Sequence, residues 1–284
     1  MEQALLIVWR ESVEALLVVG LLYAWLKRQT DGREHLRLLW LGVLGGGALA
    51  ALLAALMVLA GNWMSGPAGE WFQAAMSAVA SLLILQMVMW MRRNGRWLRS
   101  NLETRAERAL SHGRQGGLVL LAALAVAREG SEIAIFLYGS TGTTGPSAML
   151  LGALLGLLLG GLSFAVLQAG SYLLDWRRFF AISELVLIAL GGAMLMNALD
   201  RATGQLMGLD LPEWLYGWLG DPLWDSSAWL DDGSRLGAAL AGLTGYRAMP
   251  SAMAAILLAG FWIIAYGWRR SPRQILREVS RSGI

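Results

Sequence analysis

The stretch Ala127-Arg128-Glu129-Gly130-Ser131-Glu132-Ile133 sets three ionisable side chains in the middle of an apolar run from Leu118 to Tyr138, a run long enough to cross a bilayer as a helix. The first apolar run, Ala4 to Leu26, carries a second copy, Arg10-Glu11-Ser12-Val13-Glu14. Both read R-E-x-x-E. A carboxylate at membrane depth costs roughly 2.5 kcal/mol or more, so such residues are as a rule paired, turned inward and functional. Helical spacing puts the two glutamates of each motif on one face, and the neighbouring arginine offsets part of their charge. Each motif is thus a pair of hard oxygen donors. Four glutamates against two arginines leave a formal −2, which helix packing does not need and a cation would satisfy.

Working outward, the 284 residues are 56% hydrophobic and only 15% charged, a composition that excludes a soluble domain and fits an all-α polytopic membrane protein. The isoelectric point near 9.6 does not argue for nucleic acid, because the basic residues fall in short segments between apolar runs, where topology accounts for them. Cysteine is absent, so disulfides, thiolate sites and iron–sulfur clusters are excluded and any metal is held by oxygen or nitrogen. His35 and His112 both fall in basic segments and read as solvated. Arg10, Glu11 and Glu14 spoil the first run as a secretory signal, so it is read as a retained helix.

Seven apolar runs emerge, at about Ala4–Leu26, Leu38–Ala60, Trp71–Met91, Leu118–Tyr138, Ala148–Leu173, Ala181–Leu199 and Ser251–Trp268. Alternate connections hold eighteen basic residues, and the others hold only Arg201, Arg235 and Arg247. The positive-inside rule then places the N-terminus outside and the C-terminus in the cytoplasm. The two motif helices run in opposite directions with two helices after each, the pattern of an inverted repeat: residues 1–91, then 115–199, with a seventh helix at 251–268 and a basic cytoplasmic tail at 269–284. Gly42, Gly46 and Ala50 in the second run, and Gly152, Gly156 and Gly160 in the fifth, form small-residue ladders that read as packing surfaces. If the pseudo-twofold axis brings the first and fourth helices together, Glu11, Glu14, Glu129 and Glu132 form one carboxylate cluster on the order of 10 Å below the outer helix ends.

The outer segment 200–250 holds Trp214, Trp218, Trp224 and Trp229 among seven acids, including Asp225, and reads as short interfacial helices whose acids attract cations or simply face solvent. Glu184, near the cytoplasmic end of the sixth run, is a candidate accessory ligand or proton acceptor. The plainer reading, preferred for it, is interfacial snorkelling or pairing with Arg177 or Arg178.

These residues resemble the oxidase-dependent iron permeases, the high-affinity iron permeases of fungi and their bacterial iron- and lead-transporting relatives. The two R-E-x-x-E motifs, the seven-run layout and the outer runs Pro222-Leu223-Trp224-Asp225-Ser226-Ser227 and Gly245-Tyr246-Arg247-Ala248-Met249-Pro250-Ser251 carry the resemblance over most of the chain. It implies that Glu11, Glu14, Glu129 and Glu132 bind iron in transit, with Arg10 and Arg128 supporting them. It also implies a bacterial inner membrane, iron as transported substrate with no permanently bound cofactor, and an extracytoplasmic iron-oxidising or iron-delivering partner. The chain departs from the family in having Ser12-Val13 and Gly130-Ser131 between the glutamates, where glycine and leucine are usual. A histidine and glutamate common near the outer end of the sixth helix are replaced by Met196-Asn197-Ala198-Leu199-Asp200, which leaves Asp200 as the remnant of an accessory outer site.

An intramembrane enzyme is disfavoured, since the chain has no H-E-x-x-H, no nucleophile elbow and no intramembrane histidine. A retinal protein is disfavoured too, because the sole lysine, Lys27, lies between the first two runs. Carboxylates alone suit iron(III), iron(II), manganese or lead equally, and proton coupling at the same glutamates stays open. The alternative of another class is a non-transporting protein whose motifs are structural salt bridges.

Overall fold

The computed structural model describes residues 1–28, 32–64, 66–94, 115–141, 145–168, 176–209 and 212–267. Most of the basic connection from Arg92 to Arg114 with His112, the segment 169–175, Asp210 and the tail from 268 lie outside them. The described residues form nine helices: α1 (Glu2–Leu26), α2 (Gly32–Trp63), α3 (Pro67–Asn94), α4 (Gln115–Gly139), α5 (Pro146–Gln168), α6 (Trp176–Leu206), α7 (Glu213–Gly220), α8 (Arg235–Thr244) and α9 (Ala252–Gly267). No strand is present among them, only an isolated antiparallel bridge between Pro222 and Ser251.

Within the described residues each apolar run falls on one helix. Four helices are long and apolar enough to cross a membrane: α2 over His35–Trp63, α3 over Pro67–Arg92, α5 over Pro146–Val166 and α6 over Ala181–Leu206. The motif helices α1 and α4 are 25 residues each but carry the ionisable triplets at their centres, and α9 is apolar but has 16 residues. α3 and α5 both begin on a proline, whose missing N–H costs nothing in a first turn. Several boundaries differ from the sequence reading; α6, for one, starts at Trp176, five residues before Ala181. α2 starts six residues before Leu38, so His35 belongs to a helix rather than a loop. α6 runs past Leu199 to Leu206, which places Asp200 and Arg201 on a helix as well. Those charges are tolerated there because both are paired: Arg201 Nη1 meets Glu70 Oε2 of α3 at 2.6 Å, and Arg247 Nη2 meets Asp200 Oδ2 at 2.6 Å.

Helix pairing follows the ladders. Among lipid tails apolar burial gives little reason for helices to associate, so close backbone approach carries the packing. Gly42 abuts Val119 and Ala122 of α4, Gly46 abuts Ala123 and Ala127, and Ala50 sits against Gly130. In the other half Gly152 abuts Met1 and Ala4 of α1, Gly156 abuts Leu5 and Trp9, and Gly160 abuts Ser12. Ala4, Leu5, Trp9 and Ser12 stand at the same spacing from Arg10 as Ala122, Ala123, Ala127 and Gly130 do from Arg128. Each motif helix is therefore seated, in matching register, on the ladder of the other half. The outward faces of α2 and α5 are rows of exposed leucines, as a lipid-facing surface requires.

α3 and α6 form a third pair, antiparallel, with Ile84 against Gly191 at its middle. The main buried cluster, with Ile7, Ile84, Phe136, Leu187, Met194 and Phe261, joins this pair to α1, α4 and α9. The runs around Pro222 and Tyr246 knit into a cap: Leu223 N donates to Pro250 O at 2.9 Å, Ser226 N to Ala248 O at 2.9 Å, and Tyr246 Oη to Leu230 O at 3.0 Å. Gly245 closes α8 at a φ of 77°, a backbone conformation that favours glycine.

Candidate functional site

α1 and α4 cross with their motifs facing. One carboxylate oxygen from each of Glu11, Glu14 and Glu129 lies within 4.8 Å of the other two. Glu11 is wholly buried, Glu129 is buried and Glu14 is half-buried. Glu132 stands beside this trio but outside it, its Oε1 accepting from Arg128 Nε at 3.0 Å.

The two arginines are held differently. Arg10 is buried, with Nη1 donating to Glu11 Oε1 at 2.7 Å and Nη2 lying 2.5 Å from Glu14 Oε1. The same two nitrogens also donate to thioethers of α3, Nη1 to Met87 Sδ at 3.0 Å and Nη2 to Met91 Sδ at 2.8 Å. Arg128 is half exposed, 3.9 Å from Glu129, and lies over the Trp90 ring at 5.3 Å from its centroid.

These partners leave the carboxylates short of donors. Glu11 Oε2, Glu129 Oε2 and Glu132 Oε2 are all buried and accept no hydrogen bond, while Glu14 Oε1, also buried, meets the Arg10 guanidinium. Nearly every buried polar atom in a protein finds a partner, and an unpaired carboxylate oxygen is among the costliest exceptions. One such atom could be an accident of packing, but three on two facing motifs describe an oxygen-rich cage short of positive charge. Such a cage suits a hard cation.

The remaining sequence candidates lie elsewhere. Glu184 is paired with Arg92 of α3, Nε at 2.7 Å and Nη2 at 2.5 Å, and Arg92 Nη1 also donates to Ala265 O of α9 at 2.5 Å; the side chains of Arg177 and Arg178 lie outside what is described. Asp200 is bound by Arg247, which also donates to Asn197 Oδ1 at 3.2 Å. Asp225 is exposed in the cap; hydrogen bonds from the Ser227 hydroxyl and backbone N–H hold its carboxyl below the ordinary aspartate range. None of the three touches the carboxylate trio. Conversely, a search for charge passes over Met87, Trp90 and Met91, whose signal is a one-face i, i+3, i+4 spacing of bulky polarisable side chains.

Residues 1–269 match the iron permease FTR1 family. The ferrous iron permease EfeU of Escherichia coli O157:H7 is 31% identical over 259 residues, covering 87% of each chain. EfeU of Shigella sonnei strain Ss046 is likewise 31% identical with the same coverage. EfeU of Yersinia pestis is 29% identical over 255 residues, covering 87% of this chain and 85% of its own. No solved structure matches the chain.

Proposed function

We propose, since the chain belongs to the iron permease FTR1 family, that this integral inner-membrane protein moves ferrous iron through the carboxylate cage of α1 and α4. The observation that carries the reading is the convergence of Glu11, Glu14 and Glu129 within 4.8 Å, with buried, partnerless oxygens on Glu11, Glu129 and Glu132. Charge favours a divalent ion. Glu11, Glu14 and Glu129 with Arg10 sum to −2, which Fe(II) neutralises and Fe(III) would overshoot in a buried site. Similarity to relatives named as ferrous iron permeases supports the same oxidation state.

Reconstituted into liposomes, the protein is expected to take up Fe(II) well above empty vesicles and Fe(III) at least about tenfold more slowly, with manganese and lead competing because oxygen donors discriminate weakly among divalent ions. Faster uptake of Fe(III) would reject the oxidation state, and no uptake of either would reject the permease reading.

The architecture proposed around the site is seven spans: two inverted three-helix repeats, residues 1–91 and 115–199, and a seventh helix at 251–268. The matched seating of α1 on α5 and α4 on α2 supports it. Eighteen basic residues on one side against three on the other support an N-terminus outside and a C-terminus in the cytoplasm. The chain has no cysteine, so an introduced one reports cleanly. An impermeant maleimide added outside intact cells is expected to label Trp224→Cys and spare Arg37→Cys; the reverse pattern would overturn the orientation. An extracytoplasmic iron-oxidising or iron-delivering protein is proposed as partner on the resemblance alone, and the cap formed by 222–251 is the outer surface it would meet. Co-purification after mild cross-linking, lost on deleting the exposed Trp229 side chain, tests that contact.

A further inference from the structure

Met87, Trp90 and Met91 lie on one face of α3, and that face reaches both motif arginines. We infer that α3 is the third wall of the site, a charge-free surface that takes the two guanidinium groups when the glutamates turn to the ion. The inference rests on the proposed carriage of iron by those glutamates.

The chemistry of the acceptors is the argument. Arg10 shares its two terminal nitrogens between carboxylates and thioethers, and both kinds of partner are within hydrogen-bonding reach at once. A thioether is a weak, uncharged acceptor, so it occupies a donor direction without adding negative charge to the cage. The Trp90 ring does the same for Arg128 through its π face. When an ion enters, Glu11, Glu14 and Glu129 must release positive partners in order to coordinate it. Arg10 is buried and cannot turn to water, so the sulfurs of α3 are what remains to receive it. Without that wall, each arginine stays on its carboxylates and competes with the ion as a tethered cation.

α3 is suited to hold still while this happens. Ion pairs fasten it to α6 near both ends, Glu70 to Arg201 at 2.6 Å and Arg92 to Glu184 at 2.5 Å, and Ser77 Oγ ties it to the end of α4 by donating to Gly139 O at 2.6 Å. The three residues are positioning residues, since they act on the arginines rather than on the ion.

The test is uptake of graded Fe(II) by the purified protein in liposomes, scored per folded molecule. Met87→Leu with Met91→Leu keeps the volume and removes both acceptors. The half-saturating concentration is expected to rise about two- to tenfold, about 0.4–1.4 kcal/mol for the two contacts together, with the maximal rate kept. Met87→Gln with Met91→Gln, which returns a neutral acceptor, should restore most of it. Trp90→Phe keeps a π face and should stay near the unmodified protein, whereas Trp90→Leu should shift about two- to fivefold. A half-saturation unchanged in the leucine variants, or a fall in maximal rate alone, overturns the inference. If the double methionine variant fails to reach the membrane, the Trp90 pair and Met91→Leu alone decide it. Failure of the unmodified protein to move iron rejects the permease reading, whereas iron movement with unshifted leucine variants rejects only the wall.

Discussion

Glutamine in place of Glu11, Glu14 or Glu129 is expected to reduce iron uptake about a hundredfold or more while the protein stays folded in the membrane. Each substitution keeps the side-chain volume and removes a full negative charge from the three carboxylates proposed to hold the ion. Even residues that only support metal ligands cost 10- to 100-fold when changed, so a ligand itself should cost at least that. Glu132→Gln should lose less, because its carboxylate is held by Arg128 outside the trio. The control is Glu184→Gln. Its carboxylate is spent on Arg92, which keeps a second acceptor in Ala265 O, so transport per folded molecule should persist. A structural salt-bridge role for the motifs predicts the opposite: glutamine variants that express poorly yet transport normally once folded. Normal uptake by folded Glu129→Gln would sink the site, and equal loss in Glu184→Gln would promote that residue to the pathway.

The second large effect requires only one methyl group. Gly46→Ala and Gly156→Ala place a carbon 2.5 Å from the carbonyl oxygens of Ala123 and Leu5, nearly 1 Å inside contact distance, so the motif helix must back away from its ladder. Overpacking of this kind costs about 1–3 kcal/mol, and it moves the very helix that aims the glutamates. Uptake should fall at least about tenfold. Gly45→Ala and Gly161→Ala are the controls, since nothing lies within 4 Å of either added carbon. They should be neutral or slightly stabilising, as alanine is the better helix former by about 1 kcal/mol. Equal uptake in Gly46→Ala and Gly45→Ala would show that the ladders do not position the site.

The sequence made much of this legible because the membrane penalises charge so heavily. Arg10, Glu11, Glu14 and their counterparts stand out in apolar runs for that reason, and the alternation of runs with basic segments locates the long helices. What it left out is what depends on partners across the fold. Glu184 sits near two arginines in sequence, and nothing local announces the Arg92 that reaches it from α3. Asp200 looked like the start of a loop, and a helix continues through it because Arg247 neutralises it. The ladders were readable as packing surfaces, but nothing local says that each one serves the motif of the other half. Met87, Trp90 and Met91 were invisible for the plainest reason: in an apolar run they look like lipid-facing filler until the arginines are placed against them.

That crosswise seating has a consequence for the order in which the protein is made. α2 is synthesised before α4, so the second motif helix meets a ladder that already exists when it leaves the ribosome. The first has no such luck. α1 emerges ahead of α2, with Arg10, Glu11 and Glu14 in its middle, but its ladder lies on α5 and does not exist until translation has passed Gly160. Through the making of four helices the N-terminal half must shelter an unseated charged segment, and it becomes a finished half only when the other half arrives.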